Sequence, residues 1–533
     1  MYSIREAGLV KSILVTGGRI WTGDMTQPFA ESLLVVGNRF AAVGPREQVM
    51  AHPRSRDAFH IDLAGEGIFP GFTDAHIHLA GLARQNWEVS LEGSRSMGEA
   101  FGRIRARAAE VSPGDWIYAA GFDETKWPVP EKPGREDVDA LGLPNPVLLR
   151  RICAHVHVAG SRAMERAGVF RDSGIFRESE VQPLTDTMNR DSEGKALSAE
   201  TLFEACKKLA SWGTTCVHTC SAATYGLEED LSLYQELFER NALPLRIVSY
   251  HDSFPGFKVK SGYGDDWIRF GGFKLFLDGS LGGRSAALTV DYADAPGTRG
   301  QLNLEDSLFR SLLDEAFRRG IQVQVHAIGD AAIDQALDAF ETFSGRKSPM
   351  EFPFRLNHVI ATRPDQVERL ARIRPACDIQ PIQAVSDMDM APQRLGPKRE
   401  ESAYAWKTLE SLGLVLTGSS DGPVDSANLW ISVDAAVNRR KLDGSGQVWK
   451  ENERLSLDSA LRLFTVNPYR VIGQGKRIGR IAQGMSADFC ILDRDPFSIP
   501  SEDLHKVIVE GTFAGGHLTW DRTGELPEGL LLS

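Results

Sequence analysis

The chain of 533 residues is longer than one hydrophobic core organises, so a large domain carrying a smaller one is the starting expectation. Its 42% hydrophobic and 25% charged residues exclude a disordered chain and allow a substantial core. A formal net charge of -12 argues against a nucleic-acid partner, which needs clustered cations, and leaves a small molecule as the expected one.

In chain order, the N-terminus has no basic segment followed by an apolar stretch and a small-residue cleavage site, so secretion is not expected. Ile13-Leu14-Val15, Ser32 to Val36 and Phe40 to Val43 read as short strands ending at glycine, and no apolar run approaches the length that spans a bilayer. Further on, apolar runs (Pro146 to Leu149, Phe273 to Phe276, Ile321 to Val325, Leu414 to Leu416) alternate with stretches whose apolar residues recur three and four apart. The latter are Leu202 to Trp212, Ser307 to Arg319 and Pro364 to Ile373. Strand then helix, repeated, predicts an α/β protein with a (β/α)8 TIM-type barrel. Short strands return at Asp488 to Leu492, Lys506 to Gly511 and Leu518 to Trp520. Residues 1–69 plus 475–533 are therefore expected to form a small β-sandwich from both chain ends, with the barrel and its insertions over 70–474. Trp87 to Leu143 and Ser386 to Tyr404 are the stretches expected to shape the pocket. Trp87, Trp127 and Trp406 could line an apolar pocket, with core the more usual place for large aromatics.

Six cysteines are scattered, and only Cys216 and Cys220 form a tight pair, on one face of a strand. A structural role is favoured over a zinc or redox site because no second pair completes one. A cytoplasmic location follows, and a homodimer is compatible with the sequence.

The chemistry-bearing residues begin with His76-Ile77-His78. Positions two apart on a strand face one side, so both imidazoles can reach one metal ion, although the motif alone is weak. His326 after Val323-Gln324-Val325, His358 after Phe354-Arg355-Leu356-Asn357, and Asp421 after Thr417-Gly418-Ser419-Ser420 each follow a short strand. The C-terminal ends of strands are where such barrels carry their active residues. Four histidines and a carboxylate suit zinc, with manganese, iron or cobalt as alternatives. Lys274 lies among apolar neighbours, where burial favours a neutral, nucleophilic amine; a pairing with Asp278 is the alternative.

The order His-x-His, Lys, His, His, Asp at strand ends resembles the amidohydrolase superfamily. Four phrases resemble its YtcJ-like branch, which includes N-substituted formamide deformylases: Pro70 to His78, Lys274 to Gly282, His326 to Asp330 and Gly418 to Pro423. The likeness extends to Ile478 to Asp488, where this family returns to its β-sandwich. The resemblance implies two divalent ions, one held by His76 and His78 and the other by His326 and His358. A carboxylated Lys274 would bridge them, and Asp421 would ligate the first ion and act as base. It also implies hydrolysis of a non-peptide carbon–nitrogen bond (amide, N-acyl or N-formyl) by a metal-activated water, with Asp421 as proton shuttle. A mononuclear deaminase of a cyclic amidine and a catalytically silent binding protein are the alternatives; the second conflicts with the presence of all six ligands. Arg150 to His155 resembles the branch's Arg-rich strand, which makes His155 a candidate for binding and polarising the substrate carbonyl. A packed histidine is the alternative, since Ala154 stands where relatives carry glycine. Gln380, in a Gln-Pro pair that matches the branch, is a substrate-pocket candidate, and Asp123 matches a family phrase with a loop role.

Overall fold

The structure is a computed structural model, and it describes residues 12–63, 65–85, 87–124, 127–128, 131–151, 156–192, 197–221, 227–252, 258–348, 350–445 and 447–526. The chain divides into two compact units, Met1–Leu79 with Cys206–Ser533, and Ala80–Ala205.

The first unit contains eight parallel strands in unbroken chain order: β1 (Phe72–Ile77), β2 (Thr214–Ser221), β3 (Arg246–His251), β4 (Ile268–Phe276), β5 (Gln322–Ala327), β6 (Phe354–His358), β7 (Ala376–Ile379) and β8 (Leu416–Gly418). The expected helices appear between them as Asp306–Arg319 and Pro364–Ile373. The sheet's first and last strands meet just beyond β8. The Asp421 N–H donates to the His76 carbonyl at 3.0 Å, and the His78 N–H donates to the Gly422 carbonyl at 2.8 Å. This is the predicted (β/α)8 barrel.

Strand β5 shows how its sequence makes a barrel stave. Val323 and Val325 are fully buried in the apolar core shared with the helices. The alternating residues Gln322 and Gln324 reach instead toward side chains of other strands: Tyr250 on β3 donates to Gln322, and Gln324 meets His76 and Cys220. Gly272 on β4 has no side chain because the ring of Tyr250 and the backbone of Gln322 fill that space; a Cβ there would lie 2.0 Å from the Gln322 carbonyl oxygen. The polar interior continues with Arg355 of β6. It donates to both oxygens of Asp378 on β7, to Tyr250 Oη at 2.8 Å and to the Ala75 carbonyl at 2.9 Å, all fully buried.

Outside the barrel, helix Leu429–Asn438 packs Trp430 against Phe72 of β1, with ring centroids 4.9 Å apart. Asn428 caps this helix, its side-chain oxygen accepting from the Trp430 N–H at 3.1 Å. Asn428→Ala is expected to lower stability by about 1 kcal/mol. Urea denaturation checks this, and an unchanged midpoint would remove the cap's role.

The two chain ends build two further sheets. One is ordered Arg39–Gly44, Ser32–Val36, Ser12–Thr16, Phe59–Asp62. The other runs His517–Asp521, Val509–Ala514, Phe489–Leu492, Gly67–Pro70, Arg19–Trp21, Phe29–Ala30. One apolar core, with Val15, Leu33 and Phe40 from the first sheet and Ile68, Phe489 and Phe513 from the second, lies between them. Arg246 at the start of β3 is joined to Asp488 by a buried ion pair of 2.7 Å.

The second unit has its own five-stranded sheet, ordered Ile175–Arg177, Val156–Ala159, Val147–Arg151, Ile117–Phe122, Val89–Ser90. The Pro146 to Leu149 run, expected among the barrel strands, lies here instead, because apolar periodicity identifies a strand but not its sheet. Trp127 is buried in this unit's core with Phe122 and Leu149, and Asp123 pairs with Arg151 at 3.2 Å.

Candidate metal centre

His76 and His78 sit at the end of β1, on one side of the strand as their spacing requires. Their Nε2 atoms lie 3.3 and 3.4 Å from the same oxygen, Oδ1 of Asp421. These donors of His76, His78 and Asp421 form a group within 4.8 Å of one another. His358 joins them from β6: its ring centroid is 5.4 Å from that of His76 and 4.4 Å from that of His326. Alternation would aim His358 away from the interior, since Asn357 beside it already points in. A left-handed backbone at His358 (φ 74°) and at Val359 (φ 53°) redirects the chain, and Asp421 (φ 59°) is held in the same way. Such conformations cost about 1–3 kcal/mol each and persist where surrounding structure imposes them.

Each of the four histidines has one ring nitrogen held by an oxygen that can only accept. His76 Nδ1 lies 3.2 Å from Gln324 Oε1. His78 Nδ1 is 3.0 Å from the Cys220 carbonyl, His326 Nε2 is 3.2 Å from the Gly279 carbonyl, and His358 Nδ1 is 2.9 Å from Gln380 Oε1. The proton on the held nitrogen leaves a lone pair on Nε2 of His358 and on Nδ1 of His326, whereas at His76 and His78 the Asp421 carboxylate competes for the proton from the Nε2 side. The Nε2 of His358 is buried with no hydrogen-bond partner among the described residues. Burial, then the nearby Lys274 charge, pushes His76 down to about 4 and His326 down to about 3. Burial, then His326, lowers His358 well below the ordinary value. All three imidazoles are neutral near pH 7, the form that binds metal ions. Burial raises the Asp421 carboxyl, but the imidazoles of His76 and His78 outweigh it and hold it well below the usual carboxylate range. Its other oxygen accepts from Gln383 Nε2 at 3.2 Å. Imidazoles gathered at a carboxylate are a donor set that fits a divalent cation.

Lys274 on β4 is fully buried, and burial lowers its pKa. Its ammonium donates to Asn357 Oδ1 and lies 4.9 Å from the Phe276 ring centroid. It does not pair with Asp278, whose carboxylate instead accepts from the backbone N–H groups of Ala287, Ile328 and Gly329. Gln380 is also fully buried, with its Oε1 2.9 Å from His358 Nδ1 and its amide nitrogen 2.8 Å from Ser419 Oγ, so it steadies a histidine. His155 lies outside the described residues. Sequence reasoning passed over Gln324, Asn357 and Gln383, and read Cys220 as structural. The signal for Gln324 was present in Gln322-Val323-Gln324-Val325-His326, where the polar residues share one face.

The sequence profile of the amidohydrolase family matches residues 60–519. The protein YtcJ of Bacillus subtilis, named an amidohydrolase, is 30% identical to the chain over 95% of the chain and 99% of its own length. N-substituted formamide deformylase of Arthrobacter pascens is 24% identical over 97% of the chain and 99% of its own length. A crystal structure of an uncharacterized metal-dependent hydrolase of Pyrococcus horikoshii superposes with a TM-score of 0.79 at 28% identity, covering 92% of this chain and 99% of that one. Among the described residues no helix is long and apolar enough to cross a membrane. With the family profile spanning most of the chain and the fold shared, the chain belongs to the amidohydrolase family as a metal-dependent hydrolase on a (β/α)8 barrel.

Proposed function

We propose that the protein hydrolyses a non-peptide carbon–nitrogen bond in a small molecule, an amide or an N-acyl or N-formyl compound. Two divalent ions, zinc foremost, would be held by His76, His78, Lys274, His326, His358 and Asp421. The observation that carries the reading is the cluster of His76, His78, His326 and His358 at Asp421, each histidine with one ring nitrogen held by an acceptor. Bound divalent ions lower the pKa of water toward neutrality and polarise a carbonyl. Asp421 keeps Oδ1 against His76 and His78, while Oδ2, oriented by Gln383, takes the proton of the attacking water and delivers it to the departing nitrogen. Burial of Lys274 without a carboxylate partner favours its neutral amine, which adds to carbon dioxide and loses a proton to give a carbamate. Gln324 stands opposite Lys274 in the β4–β5 register, and its buried Nε2, with no acceptor among the described residues, supports the carbamate by needing an oxygen nearby. Likeness to a formamide deformylase favours N-formyl compounds as the first substrates to try.

A second reading, a mononuclear deaminase of a cyclic amidine, draws on one observation: among the described residues, His76, His78 and Asp421 form the tight donor group. The test is elemental analysis of protein purified without chelator and in bicarbonate, together with amine release from N-substituted formamides and N-acyl amines. About two ions per chain with amine release is the expected result. About one ion, with ammonia released from a cyclic amidine, would transfer the assignment to the deaminase, and failure to bind added metal would sink both.

A further inference from the structure

We infer that Gln324 is a positioning residue that decides which ring nitrogen His76 presents beside Asp421, and that through Asn357 it ties this histidine to Lys274. The inference rests on the metal-binding role proposed above for His76. Gln324 is fully buried, and its Oε1 is a shared acceptor. It lies 3.2 Å from His76 Nδ1, 3.2 Å from Cys220 Sγ and 3.5 Å from Asn357 Nδ2. The other end of the Asn357 amide, Oδ1, accepts from Lys274. Strand register creates this chain of contacts, with Lys274 opposite Gln324 across β4 and β5, and His326 opposite Asn357 across β5 and β6.

The physical need for such a residue lies in a competition over one proton. Nε2 of His76 is 3.3 Å from the Asp421 carboxylate, a charged acceptor that favours the tautomer protonated on Nε2. In that tautomer the lone pair moves to Nδ1 and faces Cys220, whose Sγ is 3.3 Å away, so the histidine offers nothing at Asp421. An amide oxygen opposite Nδ1 pulls the proton back, and being neutral it does so without forming an ion pair with Lys274. Cys220 cannot replace it, since a thiol is a weak acceptor and this one donates to Gln324 Oε1. Acceptors that fix a histidine tautomer behind a metal site are typically worth about 10- to 100-fold in metal affinity.

The experiment uses the full-length protein with Co(II) as the probe, reading its visible absorption while a chelator competes for the ion. Gln324→Met removes the acceptor at similar volume and is expected to weaken cobalt binding about 10- to 100-fold, with a changed spectrum. Gln324→Glu keeps an acceptor and is expected to stay within a few-fold of wild type. Thermal melting of the metal-free proteins separates loss of affinity from loss of folding; if the methionine variant does not fold, the glutamate variant decides. Wild-type affinity in Gln324→Met would overturn the inference, as would a loss in Gln324→Glu as large as that expected for the methionine variant. A thiolate-to-cobalt charge-transfer band in the wild type that Cys220→Ser abolishes would overturn it too, because Cys220 would then be a ligand and His76 turned around. A wild type that takes up no cobalt fails earlier, at the proposed function itself, before any variant is compared.

Discussion

Asp421→Asn is expected to lower turnover about 10²- to 10⁴-fold, the range that a positioned acid–base group supplies. Asparagine keeps the shape of the side chain and an oxygen facing His76 and His78. Its amide cannot take a proton from water at neutral pH, and it cannot return one to a departing nitrogen. The comparison is made at saturating metal, on whichever formamide or N-acyl amine the wild type cleaves, with metal content measured on the same samples. Loss of turnover with metal retained assigns the proton transfer to Asp421. Full turnover with unchanged metal would remove Asp421 from that role and leave it as a ligand alone. Equal loss of metal and turnover would make its ligand role the dominant one.

Arg355→Met is expected to destabilise the protein by about 3–5 kcal/mol, the usual consequence of stranding one member of a buried ion pair. Both Arg355 and Asp378 have no solvent exposure, and the guanidinium makes its bonds across the barrel interior to residues of β3 and β7 and to the Ala75 carbonyl of β1. Methionine fills part of the volume but leaves the Asp378 carboxylate with only neutral donors, Asn357 and Thr417. A fall in the denaturation midpoint, partly recovered when Asp378 is also made apolar, is the expected pattern. An unchanged midpoint would show that water or rearrangement compensates the charge, and that the interior is less dry than its packing implies.

The strand-end positions of the candidate ligands were legible in the sequence because each follows a short apolar run, and a barrel's strand ends converge at one mouth. The β-sandwich strands were legible because alternation ending in glycine is a local signal. Three features were not. The sheet of the second unit was hidden because its strands, Val147–Arg151 among them, carry the same apolar signature as barrel strands. The aim of His358 could not be read, since β-alternation points it outward and only a left-handed backbone turns it in. The role of Gln380 depended on Ser419 approaching from the segment after β8, a neighbour that no local pattern names.

The hydrogen bonds that close the barrel join His76 and His78 to Asp421 and Gly422, residues from opposite ends of the barrel sequence. During biosynthesis the histidine pair leaves the ribosome long before its carboxylate partner, and contacts so distant in sequence are among the last that folding secures. An ion captured early would meet only two imidazoles and would exchange freely. On the proposed reading, the final stave that seals the cylinder also brings Asp421 to the histidine pair, so a chain truncated ahead of β8 would be open and would lack that carboxylate.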